Sequence, residues 1–118
     1  MLPRLYRLKK KSDFDHLLKK GKLESHGFLA IRFINGEQAP SQENSRFGFL
    51  VAKKNFKKAV LRNKIRRRLR ELVGQKLSLI KPGNDIILIA RSGIENKQLT
   101  EVKESLEIVL ERARLLKK

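Results

Sequence analysis

The chain has 118 residues, 40% of them hydrophobic, and its 29 Lys and Arg against 12 Asp and Glu give a formal charge of +17. That length fits one compact domain, read here as residues 1–118 with a single modest core. The charge repels itself unless a polyanion relieves it, with nucleic acid the first candidate and an anionic membrane surface the second.

The absence of cysteine excludes disulfides, thiolate catalysis and Cys-ligated zinc. Met1-Leu2-Pro3-Arg4 leads into no apolar run of signal length. The longest apolar runs, such as Ile86 to Ala90, are too short to span a bilayer. The expectation is a soluble cytoplasmic protein.

Residues 1–11 hold Arg4, Arg7, Lys9, Lys10 and Lys11 and no acidic residue, which reads as a basic N-terminal arm. Ser12 has the chemistry of an N-cap, and Asp13 and Asp15 suit a first helical turn. Phe14, Leu17 and Leu18 recur at helical spacing, and Gly21 can end that helix, so a short helix is expected over 12–20. Phe28 to Ile34 reads as a strand, with a short extra strand near Lys22 to Ser25. Asn35 to Ser45, with Gly36 and Pro40, reads as a loop. Arg46 to Ala52 is the next strand, able to pair with the previous one as a hairpin with a long connection.

From Lys57 to Val73 the period is helical, with Leu61, Ile65, Leu69, Leu72 and Val73 on one face. Gly74 is read as a helix end. Lys81-Pro82-Gly83-Asn84 is a turn signal. Asp85 to Arg91 is a β-branched strand apolar enough to be buried on both faces. Thr100, helped by Glu101 and Glu104, caps a last helix whose stripe is Val102, Leu106, Val109, Leu110 and Ala113. The order α-β-β-(β)-α-β-α points to an α+β fold with helices on one sheet. Whether the strands flanking the basic helix run parallel is not visible in the pattern.

Between Lys53 and Arg70 stand ten basic residues and no acidic one: Lys53, Lys54, Lys57, Lys58, Arg62, Lys64, Arg66, Arg67, Arg68 and Arg70. On a helix, Asn63, Arg66, Arg67 and Arg70 share a side opposite Leu61, Ile65 and Leu69. The planar fork of arginine can donate two parallel hydrogen bonds to a phosphate. The Asn63 amide can bond a phosphate, a 2′-hydroxyl or a base edge. A purely solvated face would mix signs, and a membrane-surface helix would need for lipid the apolar face the core requires. So much arginine favours backbone clamping over the base readout of a DNA-reading helix. Arg66 and Arg70 are expected to be exposed.

The segment Lys58-Ala59-Val60-Leu61-Arg62-Asn63-Lys64-Ile65-Arg66-Arg67-Arg68-Leu69-Arg70-Glu71 resembles the RNR signature of the bacterial ribonuclease P protein family. The likeness extends through Arg46-Phe47-Gly48-Phe49-Leu50-Val51-Ala52-Lys53-Lys54, through Arg7-Leu8-Lys9-Lys10 with Asp13-Phe14, and through Ile87-Leu88-Ile89-Ala90-Arg91. It implies a small two-layer α+β sandwich with a left-handed βαβ crossover, a handedness that general rules disfavour. It implies a protein subunit that joins a catalytic RNA and assists endonucleolytic removal of the 5′ leader from precursor tRNA. The chemistry would belong to the RNA and its magnesium ions.

By resemblance, Arg62, Asn63, Arg66, Arg67 and Arg70, led by Lys53 and Lys54, would face the catalytic RNA. Phe14, Phe28, Lys53 and Arg91 would lie near a cleft holding the single-stranded leader, where aromatic rings can stack on bases. Leu18 and Ile31 stand where many relatives carry aromatic residues. The partners implied are the catalytic RNA and precursor tRNA, with no membrane and no evident protein partner.

Other residues carry less. Phe47 and Phe49 share a strand face and read as core, and Phe14 reads as core or cleft. His16 and His26 lack ligand spacing. No nucleophile–base pair or carboxylate pair is detectable, so the polypeptide is expected to lack a catalytic centre of its own. The rival classes are a non-catalytic ribosomal or assembly factor and a helix-based DNA-binding regulator.

Overall fold

The computed structural model describes residues 6–8, 10–34 and 45–117. Arg4 and Lys9 of the basic arm, and nearly all of the 35–45 loop, lie outside the described residues. The elements run α1 (Lys11–Lys20), β1 (Lys22–His26), β2 (Leu29–Ile34), β3 (Arg46–Leu50), α2 (Ala59–Lys76), β4 (Asp85–Ala90) and α3 (Leu99–Arg112). The fold is α+β, in the expected order.

The four strands form one sheet in the order β1-β2-β4-β3. β1 and β2 are an antiparallel hairpin in which His26 pairs with Leu29. Its two-residue turn places Gly27 at φ 58°, the positive φ that tight hairpins require. Phe28 is therefore at the turn and not on the strand. The expected hairpin between the second and third strands does not form. β2 pairs antiparallel with β4, and β3 pairs parallel with β4. Ile86, Ile87 and Leu88 are fully buried, so β4 is the most apolar strand and takes the central place beside β2. β3, α2 and β4 thus make a βαβ unit.

Strand alternation divides the core in two. Leu29, Ile31, Phe33, Phe47, Ile86 and Leu88 face α2 and α3, packing with Ile65, Leu69, Leu72, Val73, Leu106, Val109 and Leu110. On the other face Ile34 and Ile87 pack with Leu8 and Leu17, with Phe14 and Leu18 of α1 against them. The sheet and the α2–α3 layer form the sandwich, and α1 crosses the remaining face. Full burial of Ile31 on the α2–α3 side keeps it away from α1.

Several helix ends differ from expectation. Ser12 lies inside α1, whose N-cap is Lys10 with no side-chain cap. Gly21 does end α1, donating its N–H to Leu17 O at 2.8 Å. Gly74 lies inside α2, which continues to Lys76 and tightens into a 3-10 turn over Leu77–Leu79. Thr100 is likewise internal. The Glu101 carboxylate accepts the Gln98 N–H at 3.3 Å, so α3 starts earlier than Thr100 suggests. Residues 6–8 are not a free arm. The Leu8 N–H donates to Phe47 O at 2.7 Å, and Arg7 bridges to Phe47 in parallel, covering the open edge of β3.

Polar ties fix these layers. Arg46 opens β3 directly beside Asp85 of β4. Its Nε and Nη2 donate to the two Asp85 oxygens at 3.0 and 2.8 Å, and Nη1 lies 3.5 Å from Asp13 of α1. The hydrogen bond to Asp85 raises the Arg46 pKa, so this cation anchors α1 to the sheet. Lys76, buried at the end of α2, donates to Glu107 of α3 at 2.6 Å.

Candidate RNA interface

Alternation explains the site. On β3, Phe47 and Phe49 point toward α2, while Gly48 points toward α1. A Cβ at Gly48 would overlap the Phe14 ring, so the missing side chain lets the outer end of the Phe14 ring reach the strand backbone. Glycine within a strand is the signal for such a close approach. Around this edge lies a cleft of about 270 Å³. Arg7, Leu8 and Phe14 wall it on one side and Arg66 and Arg70 on the other, with residues 47–49 between them.

Phe14 is half-buried and open to that cleft. Arg66 and Arg70, both expected to be exposed, are partly buried, Arg70 because its guanidinium lies over the Phe49 ring. Burial, followed by the like charges of Arg7 and Arg66, lowers the Arg70 pKa. Arginine stays protonated under such shifts, so the cleft holds converging positive charge that an anion would relieve. Arg66 donates to the Asn63 Oδ1 at 3.1 Å, which orients that amide along the helix.

The rest of the comb divides. Asn63, Lys64 and Arg67 are exposed and available to a partner. Arg62 is partly turned inward. Its Nη1 donates to Phe56 O at 2.8 Å and Lys57 O at 2.9 Å, closing the chain entry to α2. Lys53 and Lys54 are exposed on the turn after β3.

Phe28 and Arg91 meet at the far end of the sheet, where the Arg91 N–H donates to Phe28 O at 2.9 Å, and the Lys97 ammonium lies 5.6 Å from the Phe28 ring centroid. They do not line the cleft that contains Phe14. The roles of Arg7 and Gly48 in that cleft were not legible as site chemistry, though glycine in an apolar strand was a usable sign.

A cationic helix beside a cationic, aromatic-walled cleft on an α+β sandwich is the arrangement of a nucleic-acid-binding protein. The family model for ribonuclease P matches residues 2–114. The ribonuclease P protein component of Listeria innocua is 37% identical over 112 residues, covering 95% of this chain and 91% of that protein. That of Synechocystis is 38% identical over 88 residues, 75% of this chain and 68% of that protein. The solved RNase P protein of Staphylococcus aureus superposes with a TM-score of 0.81 at 35% identity, covering 95% and 98% of the two chains. That of Thermotoga maritima gives 0.78 at 30% identity, covering 90% and 96%. The chain belongs to the ribonuclease P protein family, the protein component of the tRNA-processing endonuclease. No helix among the described residues is long and apolar enough to cross a membrane.

Proposed function

We propose that α2 and the Phe14 cleft form one continuous RNA surface. The exposed part of the comb, Asn63 and Arg67 with Lys53 and Lys54 leading in, binds the catalytic RNA of ribonuclease P. The cleft takes the single-stranded 5′ leader of precursor tRNA, with Phe14 offering a ring face and Arg7, Arg66 and Arg70 meeting phosphates. The observation that carries this reading is the convergence of Phe14, Arg66 and Arg70 on one cleft. Arg62 supports the surface by fixing the start of α2. Phe28 and Arg91, at the end of the sheet where β3 runs out toward Lys53, extend the leader path.

Chemistry belongs to the RNA partner. The family resemblance implies magnesium, which when bound would supply Lewis-acid chemistry for phosphodiester cleavage. Phosphate oxygens of an RNA are the hard ligands magnesium prefers, which supports placing the ion on the RNA partner. This chain's cations lower repulsion between RNA segments and so favour the compact arrangement of catalytic RNA and substrate. The place of action is the cytoplasm, where bacterial precursor tRNAs are made.

The test is precursor-tRNA cleavage by a bacterial ribonuclease P RNA at low magnesium, with and without this protein. Restored cleavage of the leader supports the reading. An RNA that cleaves no better with the protein than without it contradicts the reading.

A further inference from the structure

Cations that α2 and its cleft do not account for gather at the opposite edge of the sheet. β1 is the edge strand farthest from β3, three strand spacings or about 14 Å away. A groove of about 700 Å³ lies there, between β1, the turn before β4 and the end of α3. Lys22, Lys81, Arg112 and Arg114 line it, and all four are exposed. Glu24 is the one acidic residue lining it among the described residues. The four cations come from three separate elements, so no single helix or strand explains their meeting. Arg112 is held in place by donation from Nη1 to Ser25 O at 3.0 Å.

Arg114 gives the second observation. Among the described residues it is the one non-glycine residue with positive φ, at 59°. The Leu115 N–H donates to Leu110 O, and the Arg114 N–H donates to Glu111 O, each at 3.0 Å. This is the paired closure that ends helices with a left-handed residue, a position glycine usually holds. An L side chain there carries a steric cost that glycine avoids, and an arginine kept at that cost points to a use for its side chain. A cation also suits a helix C-terminus, but Arg112 already stands in the last turn, and the dipole does not explain Lys22 or Lys81.

We infer that this groove is a second RNA-binding surface, taking a stretch of phosphate backbone distinct from the one at α2. The inference rests on the RNA-binding reading of the α2 surface. Contacts at opposite edges of one sheet hold a folded RNA at two points, which fixes the protein's orientation better than α2 alone.

The experiment titrates the full-length chain against a bacterial ribonuclease P RNA between ~50 and ~200 mM salt. It compares Arg114→Gly, a Lys22→Ala/Lys81→Ala/Arg114→Gly triple variant, and Arg66→Ala/Arg70→Ala, with thermal melting of each. Arg114→Gly should melt at or above the parent temperature yet bind roughly threefold to tenfold more weakly. The triple variant should lose roughly ten- to a hundredfold, with its log–log salt slope reduced by about three. Groove variants that bind like the parent while the α2 variant is weakened would overturn this inference and leave the α2 reading standing. An Arg114→Gly protein that melts lower and binds normally would assign Arg114 to the helix end and also overturn it. A parent that shows no salt-dependent binding to the RNA would overturn both.

Discussion

The Arg70 guanidinium carbon lies 5.7 Å from the centroid of the Phe49 ring. Phe49 belongs to the strand that packs under α2, so this contact ties the RNA-facing comb to the core. It also tilts Arg70 into the cleft beside Arg66. A cation over an aromatic face contributes about 0.5–1 kcal/mol near a surface, and repulsion from Arg7 and Arg66 offsets part of it. Arg70→Ala should therefore change stability by under about 1 kcal/mol in urea unfolding. RNA affinity should fall about tenfold and the salt slope by about one. Arg70→Lys should recover the charge but not the planar stacking, and so only part of the affinity.

Gly48 and Phe14 make a size-matched pair. Gly48→Ala places a methyl group into the Phe14 ring and should cost roughly 1–3 kcal/mol by overpacking. Gly48→Ala combined with Phe14→Leu should recover much of that loss, because a smaller side chain leaves room. A chemical-denaturation cycle on the four proteins measures the coupling, and additive losses would mean that the ring does not rest on Gly48.

The Arg46–Asp85 pair should behave as a buried charge pair. Asp85 is nearly inaccessible, so Arg46→Ala removes two charge-assisted hydrogen bonds from a buried carboxylate and should destabilise by roughly 2–3 kcal/mol. Asp13→Ala removes only the longer, more exposed contact at 3.5 Å and should cost under about 1 kcal/mol. Equal losses for the two would contradict the assignment of Asp85 as the main partner.

The α2–α3 tie gives a pH dependence. The hydrogen bond from Lys76, with attraction to its charge, holds the Glu107 pKa below its ordinary value. A depressed carboxyl pKa stabilises the fold above the unfolded value of about 4.3, and that stability is lost as pH falls through the folded pKa. Glu107→Gln should therefore lower stability at neutral pH and flatten the acid limb below about pH 4.3. Glu107 is 44% exposed, so solvent screening keeps the effect small. A parent and variant with parallel pH–stability curves in acid would remove this contribution.

Elements with strong local periodicity were legible in the sequence. The α2 stripe of Ile65, Leu69, Leu72 and Val73 is buried as its spacing requires, and the β-branched 85–91 run lies at the centre of the sheet. Strand partners were not legible. β3 carries no mark that says it pairs parallel with β4, because pairing is decided by the packing of α2 across both strands. Caps misled at Ser12 and Thr100, where each helix begins one or more residues earlier on backbone geometry and, in α3, on the Glu101 carboxylate. At the site, charge and spacing revealed the comb. They could not show that Arg62 turns back to the carbonyls of Phe56 and Lys57, or that Arg70 leans on Phe49. Those contacts depend on where β3 lies under the helix.

The central claim is that the comb and the cleft are one surface, with the leader in the cleft. The direct measurement is the affinity of the reconstituted ribonucleoprotein for precursor tRNA with a 5′ leader and for mature tRNA, using parent and Phe14→Ala protein. Phe14→Ala should lose roughly five- to fiftyfold for the leader-bearing substrate, the worth of about one stacked base, and little for mature tRNA. Equal losses on both substrates, or none on either, would contradict the claim and return Phe14 to the core.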